Sequence, residues 1–144
     1  MRKHVAFVIP RIGKGGAERV VANIANQMVS DGYPVSIYTI LSGEENYKLA
    51  EGVNHVHLNV DDPNRLLRMI KRFIKLRSMV KRSDAETVVA FDRYYGILSA
   101  LFTGKRVIGF GKYRQPEMHW FIISLISRIS HCFGSSKAWF KASL

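Results

Sequence analysis

A buried strand, a glycine-rich turn and a helix follow one another in residues 5–31, and this order constrains the fold more than any other feature of the chain. Residues 5–9 are a short apolar run, residues 10–16 read Pro-Arg-Ile-Gly-Lys-Gly-Gly, and apolar residues then recur at helical spacing until Asp31. Because glycine has no Cβ, such a turn lets backbone N–H groups approach a ligand closely. The free N–H groups and dipole of the following helix favour an anionic or oxygen-rich ligand. The pattern therefore predicts a binding site made by the backbone at residues 13–16.

The glycine spacing argues against the two common phosphate-binding loops. A dinucleotide-binding turn requires G-x-G-x-x-G; Gly13 and Gly15 fit its first two positions, but Glu18 at the third would bring a carboxylate toward a pyrophosphate. No G-x-x-x-x-G-K-[ST] string occurs in the chain, which argues against a P-loop. Two alternatives stay open: the turn is a plain strand-to-helix connection that binds nothing, and Glu18 only complements the helix dipole.

The rest of the chain continues the alternation of strands and helices. Strands are predicted at residues 5–9, 35–41, 53–60, 87–91, 106–110 and 131–134, and helices at residues 16–30, 64–82, 94–102 and 117–129. Such alternation with short turns predicts one α/β domain over residues 1–144, a Rossmann-like parallel sheet with helices on both faces. Ligands of such sheets bind beyond the carboxyl ends of the strands, so residues 13–16, 91–93 and 110–114 are expected on one rim.

The second predicted helix is strongly basic: residues 65–82 hold eight Lys and Arg residues and no acidic one. On a helical wheel its apolar and basic residues separate into two halves. The apolar half holds Leu66, Leu67, Met69, Ile70, Phe73, Ile74 and Leu76, and the basic half holds Arg65, Arg68, Lys71, Arg72 and Lys75. In one alternative, the apolar half packs on the sheet and the basic face is solvated. In the other, the basic face binds an anionic membrane, and each cation contributes roughly 1 kcal/mol to the binding free energy.

Charge and cysteine content limit the partners and the compartment. The formal net charge is +11, which implies attraction to polyanions. Nucleic acid is not expected as the partner, because no aromatic residue interleaves the basic face to stack on bases. The single cysteine, Cys132, permits no disulfide within the chain and fits a reducing cytoplasm. No apolar run is long enough for a membrane span, so we expect a cytoplasmic protein, peripheral on the inner face of the plasma membrane.

The histidines give no sequence pattern for a metal site. His55 and His57 alternate on a predicted strand and share one face, but Cys132 is remote in sequence and no spacing typical of metal ligands is present. The sequence therefore predicts no metal. Asp61 and Asp62 are interpreted as loop and helix-cap residues rather than a pair of catalytic carboxylates.

Nearly the whole chain resembles the N-terminal domain of family 4 GT-B glycosyltransferases. The resemblance is strongest in "AFVIPRIGKGGAERVVANIANQMVSDGYPVSIYTI", with its G-G-A-E-R turn and helix, and continues through "YKLAEGVNHVHLNV", "VVAF" and "KRVIGFGKYRQPE". The last segment is similar to the family's V-I-x-S-E-R-x-x-P. It differs in having Lys112 and Tyr113 where Ser-Glu is usual, while Arg114 and Pro116 remain.

The resemblance implies the acceptor side of sugar transfer from a nucleotide-sugar donor, in glycan or glycolipid synthesis, with no cofactor and no metal. Gly15 and Gly16 would be backbone donors near the donor diphosphate. Glu18, Arg19 and Arg114 are further candidate substrate-binding residues, although Arg19 could equally face solvent and Arg114 could be an ordinary surface arginine. No catalytic residue is assigned.

In the resembled family a second domain with an E-x7-E motif holds the donor, and that motif is absent here. The resemblance therefore implies a single, incomplete GT-B half, truncated or split, whose C-terminal half could lie on another chain and which has little turnover alone. The alternative is a non-catalytic module that binds an anionic membrane or a partner glycosyltransferase subunit.

Overall fold

The computed structural model of this chain describes residues 2–43, 45–91 and 103–109. These residues form five strands and two helices in alternating order. The elements are β1 (Val5–Ile9), α1 (Gly16–Ser30), β2 (Val35–Thr39), β3 (Val53–His57), α2 (Arg65–Arg82), β4 (Thr87–Ala90) and β5 (Arg106–Gly109). The predicted α/β class is confirmed.

All five strands are parallel and lie in the order β3-β2-β1-β4-β5. The first strand is central: Val8 pairs in register with Tyr38 of β2 on one side and with Ala90 of β4 on the other. The chain thus moves outward from β1 to β3 and then returns across β1 to β4. This reversal makes the carboxyl end of β1 a topological switch point, the place where such sheets bind ligands.

Each face of the sheet has its own apolar core and its own helix. Ala6 and Val8 of β1 belong to a cluster that includes Leu76 and Val80 of α2. The alternate residues of the same strand, Phe7 and Ile9, belong to a cluster that includes residues of α1. Because neighbouring side chains of a strand point to opposite faces, the continuous apolar run at residues 5–9 supplies both cores. The predicted coverage of both faces is confirmed.

The strands β2, β3 and β4 end earlier than the sequence predicts, and at the carboxyl ends of β2 and β3 the chain departs from the ladder. After β2, the Ile40 and Leu41 amides donate to the Pro10 carbonyl oxygen at 3.1 and 2.7 Å. After β3, Asn59 has a φ of 44°, a left-handed conformation that no strand can continue through. The predicted helices at 94–102 and 117–129, the strand at 131–134 and the residues of the expected rim beyond Phe91 lie outside the described residues.

The orientation of α2 corrects the packing expected from the helical wheel. Only Leu76 of the predicted apolar half is buried, and it is joined by Val80. The exposed members are Leu66, Leu67, Met69, Ile70 and Ile74. The helix is turned because two cations of the predicted basic half bind the preceding loop: Arg68 donates to the Asp62 carbonyl oxygen (3.1 Å) and Arg72 to that of Val60 (3.3 Å).

Candidate functional site

The glycine turn lies at the carboxyl end of β1 and leads directly into α1. Ile12 is buried in the core and anchors the turn, and Gly15 is the N-cap residue, in an extended conformation with no side-chain capping bond. The Arg19 amide donates to the Gly15 carbonyl oxygen at 3.1 Å, which is the first hydrogen bond of the helix. The preceding amides of the first turn have no partner within the helix, which makes them candidate donors to a ligand.

The two glycines at the start of α1 differ in how open they are. A Cβ placed on Gly16 would have no atom within 4 Å, whereas one on Gly15 would collide with the Glu18 carboxylate. The Glu18 side chain therefore folds back over Gly15, where its charge complements the positive end of the helix dipole. No described residue blocks a ligand that approaches from the Gly16 side, but one that covers Gly15 has to displace this carboxylate.

A neighbouring loop segment, residues 45–50, supports the turn, and we call it the bracing segment. The Asn46 amide donates to the Ile12 carbonyl oxygen at 3.1 Å, and the Tyr47 hydroxyl donates to that of Gly15 at 3.4 Å. Asn26 of α1 binds the other end of the segment, accepting from the Ala50 amide (2.7 Å) and donating to the Lys48 carbonyl oxygen (2.9 Å). Sequence analysis assigns no role to this stretch, because its polar composition indicates only a loop or a short helix.

A cleft of about 240 Å³ opens at the carboxyl ends of β2 and β3. Its lining residues are Ile40, Ser42, Asn59, Val60, Asp61 and Arg72. Arg72 uses one guanidinium N–H for the Val60 carbonyl oxygen, and the guanidinium carries four more donors. The cleft thus offers hydroxyl, amide, carboxylate and guanidinium groups, which suit a ligand rich in oxygen atoms. Sequence reasoning placed Arg72 on a membrane face and missed this cleft.

The turn before α2 has the structural role that the sequence predicts for it. The Asn64 side chain caps the helix, accepting from the Leu66 amide at 3.0 Å and the Leu67 amide at 3.3 Å. Asp62 accepts from the Asn64 amide (2.9 Å) and from Lys71 Nζ (2.6 Å). The hydrogen bond from Lys71, with that from the Asn64 amide, lowers the pKa of Asp62 below its ordinary value. The loop-and-cap interpretation is confirmed for Asp62, whereas Asp61 lies in the same loop 3.9 Å from Arg68 Nη1.

One cluster in the described part of the chain could hold a metal ion: Glu45, His55 and His57, whose ligand atoms lie within 4.8 Å of one another. Glu45 Oε1 is 3.1 Å from His55 Nδ1 and 2.8 Å from His57 Nε2. The two imidazoles share one face of β3, as predicted, and Glu45 comes from the bracing segment. Burial, with the neighbouring His57, lowers the pKa of His55.

The structure brings four of the predicted substrate-binding residues together at the turn: Gly15, Gly16, Glu18 and Arg19, the last of which is exposed. The fifth, Arg114, lies outside the described residues. Among the five predicted membrane-facing cations, Arg68, Lys71 and Arg72 bind the loop before α2. The other two, Arg65 and Lys75, are exposed. Neither α1 nor α2 has the length and apolar character needed to cross a membrane.

Comparison with known proteins gives a consistent family. The profile of Glycosyltransferase Family 4 matches residues 14–121. An uncharacterized glycosyltransferase of Haemophilus influenzae is 31% identical over 100 residues, which are 69% of this chain and 28% of that protein. A GalNAc-alpha-(1->4)-GalNAc-alpha-(1->3)-diNAcBac-PP-undecaprenol alpha-1,4-N-acetyl-D-galactosaminyltransferase of Campylobacter jejuni is 31% identical over 91 residues, 60% of this chain and 25% of that enzyme.

Solved structures that resemble this fold also include glycosyltransferases. The crystal structure of a glycosyltransferase from Rickettsia africae superposes with a TM-score of 0.64 at 18% identity, covering 84% of this chain and 33% of that one. The likeness shows that the two chains share the Rossmann-like GT-B fold. This chain spans between a quarter and a third of the length of these relatives.

Proposed function

This chain belongs to Glycosyltransferase Family 4, and we propose that it forms the acceptor side of a sugar transfer from a nucleotide-sugar donor in glycan or glycolipid synthesis. The Campylobacter relative is named for transfer to a lipid-linked saccharide, which supports this class of acceptor. Because the chain spans only 28% and 25% of its two sequence relatives, the donor-binding half would come from outside these 144 residues.

The observation that carries the proposal is the open helix N-terminus at Gly16, at the switch point of the sheet. Its unpaired amides and helix dipole stabilise an anion, and the absence of a side chain lets a diphosphate come within hydrogen-bonding distance. Positioning the donor diphosphate in this way supports transfer, because holding donor and acceptor in the orientation for reaction removes a large part of the entropic barrier.

Gly15 and Gly16 would supply backbone donors, and Arg19 would add a cation one residue beyond the first turn. Arg114, which lies outside the described residues, remains the proposed contact to the acceptor. Glu18 leaves Gly15 when the diphosphate binds, because two anions cannot share one helix end. The cleft at Arg72 is the candidate for the sugar of the acceptor. The transfer itself uses no metal ion and no cofactor.

Titration of the chain with UDP as the probe, followed by amide chemical shifts, tests the diphosphate site. The shifts should move most for residues 15–19 and should be weak or absent in Gly16→Ala, because the new methyl group occupies the approach. The fold should tolerate that variant, since no atom in the described part of the chain lies within 4 Å of the added Cβ.

The matched control for this titration is Gly43→Ala, which adds the same methyl group outside the turn and meets only the Arg11 side chain at 3.9 Å. It should bind UDP as the parent chain does. Equal binding by parent, Gly16→Ala and Gly43→Ala, or shifts confined to α2, would contradict the proposed diphosphate site.

A second proposed function is docking of the chain on an anionic membrane, either to reach a lipid-linked acceptor or as a non-catalytic module. It is favoured by the exposure of Leu66 (61%), Ile70 (43%) and Ile74 (59%) beside the exposed Lys71 and Lys75. A helix that presents apolar and basic residues side by side can lie in the headgroup region, with its apolar residues in the acyl boundary. This surface would hold the chain at the inner face of the plasma membrane.

Sedimentation with vesicles of phosphatidylglycerol and phosphatidylcholine tests membrane docking. The double variant Ile70→Gln/Ile74→Gln should bind on the order of ten times more weakly, because it removes buried apolar area at the interface. The matched control is Val20→Gln/Ile24→Gln, which changes two exposed apolar residues of α1 (48% and 42% exposed) and should bind normally. Failure of the parent chain to bind anionic vesicles at low salt would exclude membrane docking and leave a partner subunit as the ligand of α2.

A further inference from the structure

Four side chains at the carboxyl ends of β2 and β3 form a closed ring of polar contacts. Glu45 Oε1 lies between His55 Nδ1 and His57 Nε2, at 3.1 and 2.8 Å. On the other side of the imidazoles, Thr39 Oγ1 lies 3.2 Å from His55 Nε2 and 2.7 Å from His57 Nδ1. Every imidazole nitrogen therefore has one neighbour in the ring. Thr39 is fully buried, whereas Glu45 is exposed, so the ring opens to solvent on the carboxylate side.

The ring is one proton short when both histidines are neutral. Three of its four contacts are hydrogen bonds, those of Thr39 Oγ1 with both imidazoles and that of Glu45 with His57, and the two neutral imidazoles and the Thr39 hydroxyl supply hydrogens for these three only. One contact then sets an acceptor against an acceptor, in whichever tautomers the histidines adopt. A cation in the corner at Glu45 removes the conflict. Both imidazoles then turn a lone pair to the cation and donate their remaining N–H groups to Thr39 Oγ1, which has two acceptor positions.

We propose that Glu45, His55 and His57 bind a divalent transition-metal ion, such as Zn²⁺, with Thr39 orienting both imidazoles. Two imidazoles and one carboxylate are a known three-ligand set for zinc, with a water molecule in the fourth position. Two ligands of one tetrahedral zinc ion stand about 3.3 Å apart. The carboxylate oxygen is already 3.1 and 2.8 Å from the two nitrogens, so only a slight opening of this corner admits the ion. Hydroxyl support of the non-ligating nitrogens fixes the ring orientation and tautomer.

Metal binding here would fasten the bracing segment to the sheet. Glu45 precedes Asn46 and Tyr47, which bind the carbonyl oxygens of Ile12 and Gly15 in the glycine turn. A metal ion that joins Glu45 to β3 therefore limits the motion of the segment that supports the turn. The ion is structural in this role, and its binding does not depend on whether the turn holds a diphosphate.

A zinc titration tests the site. The chain is first stripped of metal with a chelator, and zinc binding is then measured by competition with a chromophoric chelator. We expect one zinc ion per chain and a higher melting temperature with zinc. Glu45→Gln and His57→Gln should each weaken binding at least about tenfold, and Thr39→Val by about 10- to 100-fold, because the outer hydroxyl orients both ligands. Glu51→Gln, which neutralises an exposed carboxylate near the same loop, is the matched control and should bind as the parent does.

Imidazole nitrogen shifts of the unmodified chain supply a readout that needs no variant. With zinc bound, His55 should carry its proton on Nε2 and His57 on Nδ1, because Nδ1 and Nε2, respectively, face the ion. Absence of stoichiometric zinc binding would overturn the proposal. Zinc binding that is weakened by none of the variants Glu45→Gln, His57→Gln and Thr39→Val would also overturn it. An imidazolium in the ring whose nitrogen shifts do not respond to zinc would show that a fourth proton, rather than a metal, completes the contacts.

Discussion

At the scale of the residue, the chemistry of the candidate site depends on Gly16, which has no side chain, and on the carboxylate of Glu18. Gly16 leaves the start of α1 open, while Glu18 lies over the neighbouring Gly15. The sequence places both at the turn but cannot show their unequal access. The carboxylate that argues against a dinucleotide site is, in the folded chain, a side chain able to move aside, because only its flexible end lies over the glycine.

His4 is a second residue whose behaviour depends on the fold. Its Nε2 lies 2.9 Å from Ser36 Oγ. Burial lowers the pKa of His4 below the usual 6.5, with nearby Asp84 acting in the opposite sense and Lys105 in the same sense. The unfolded chain therefore takes up a proton at a higher pH than the folded chain does, so the His4 contribution to stability is present above pH 6.5 and is lost as the pH falls below it.

The prediction for His4 is a stability that drops on mild acidification and drops less in His4→Gln. Urea unfolding midpoints of both chains, measured with a chelator present above and below pH 6.5, provide the comparison. His55 also has a lowered pKa and contributes a common decrease to both chains. Identical pH profiles for parent and variant would refute the role of His4.

At the scale of the element, α2 combines a well-specified start with an orientation that its own sequence does not determine. Asn64 caps it through two amide hydrogen bonds, and Asp62 stabilises the turn before it. Its rotation is determined by Arg68 and Arg72, whose guanidinium groups reach carbonyl oxygens of the preceding loop. The residues that a helical wheel assigns to solvent thus hold the helix to the domain, and apolar residues are exposed in their place.

Loss of the α2 cap should be measurable on its own. Asn64→Ala removes the acceptor for two amides and should lower the free energy of unfolding by about 0.5–2 kcal/mol in urea denaturation. Asn64→Ser keeps a capping oxygen and should cost much less. If alanine and serine destabilise the chain equally, the side-chain cap is not what stabilises the start of α2.

At the scale of the whole molecule, the order of the strands decides which loop segments lie next to one another. Residues 12–16 follow β1, and the bracing segment lies between β2 and β3; the two come together because β1 and β2 are adjacent and parallel. The pairing of β3 with β2 places His55 and His57 next to the same segment, where Glu45 contacts both. The glycine turn and the candidate metal site therefore both lie at the carboxyl-terminal ends of the strands.

The size of the chain relative to its family leads to a prediction about turnover. Its sequence relatives are more than three times as long as the stretch they share with it, and sugar transfer needs donor and acceptor held together. The 144-residue chain should therefore bind UDP but transfer no sugar from a nucleotide-sugar donor to a lipid-linked acceptor in a radiolabel assay. Transfer by this chain alone, lost in Gly16→Ala, would contradict the need for a second half.

Local sequence determined the elements of this protein. The apolar run before Pro10, the glycines at 13–16 and the helical spacing that follows them specify a strand, a turn and a helix, because each depends on interactions between residues close in the chain. The strand ends were less certain, because β2 and β3 end where long-range hydrogen bonds and the left-handed Asn59 divert the backbone.

Only the tertiary structure decided which side chains meet. Glu45 and His55 are ten residues apart and share no recognisable metal spacing, yet the fold of the bracing segment against β3 puts Glu45 Oε1 3.1 Å from His55 Nδ1. The rotation of α2 likewise depends on carbonyl oxygens of a neighbouring loop, which no periodicity along the helix encodes. Sequence patterns report the faces of single elements, whereas a site depends on how those faces are brought together when the sheet forms.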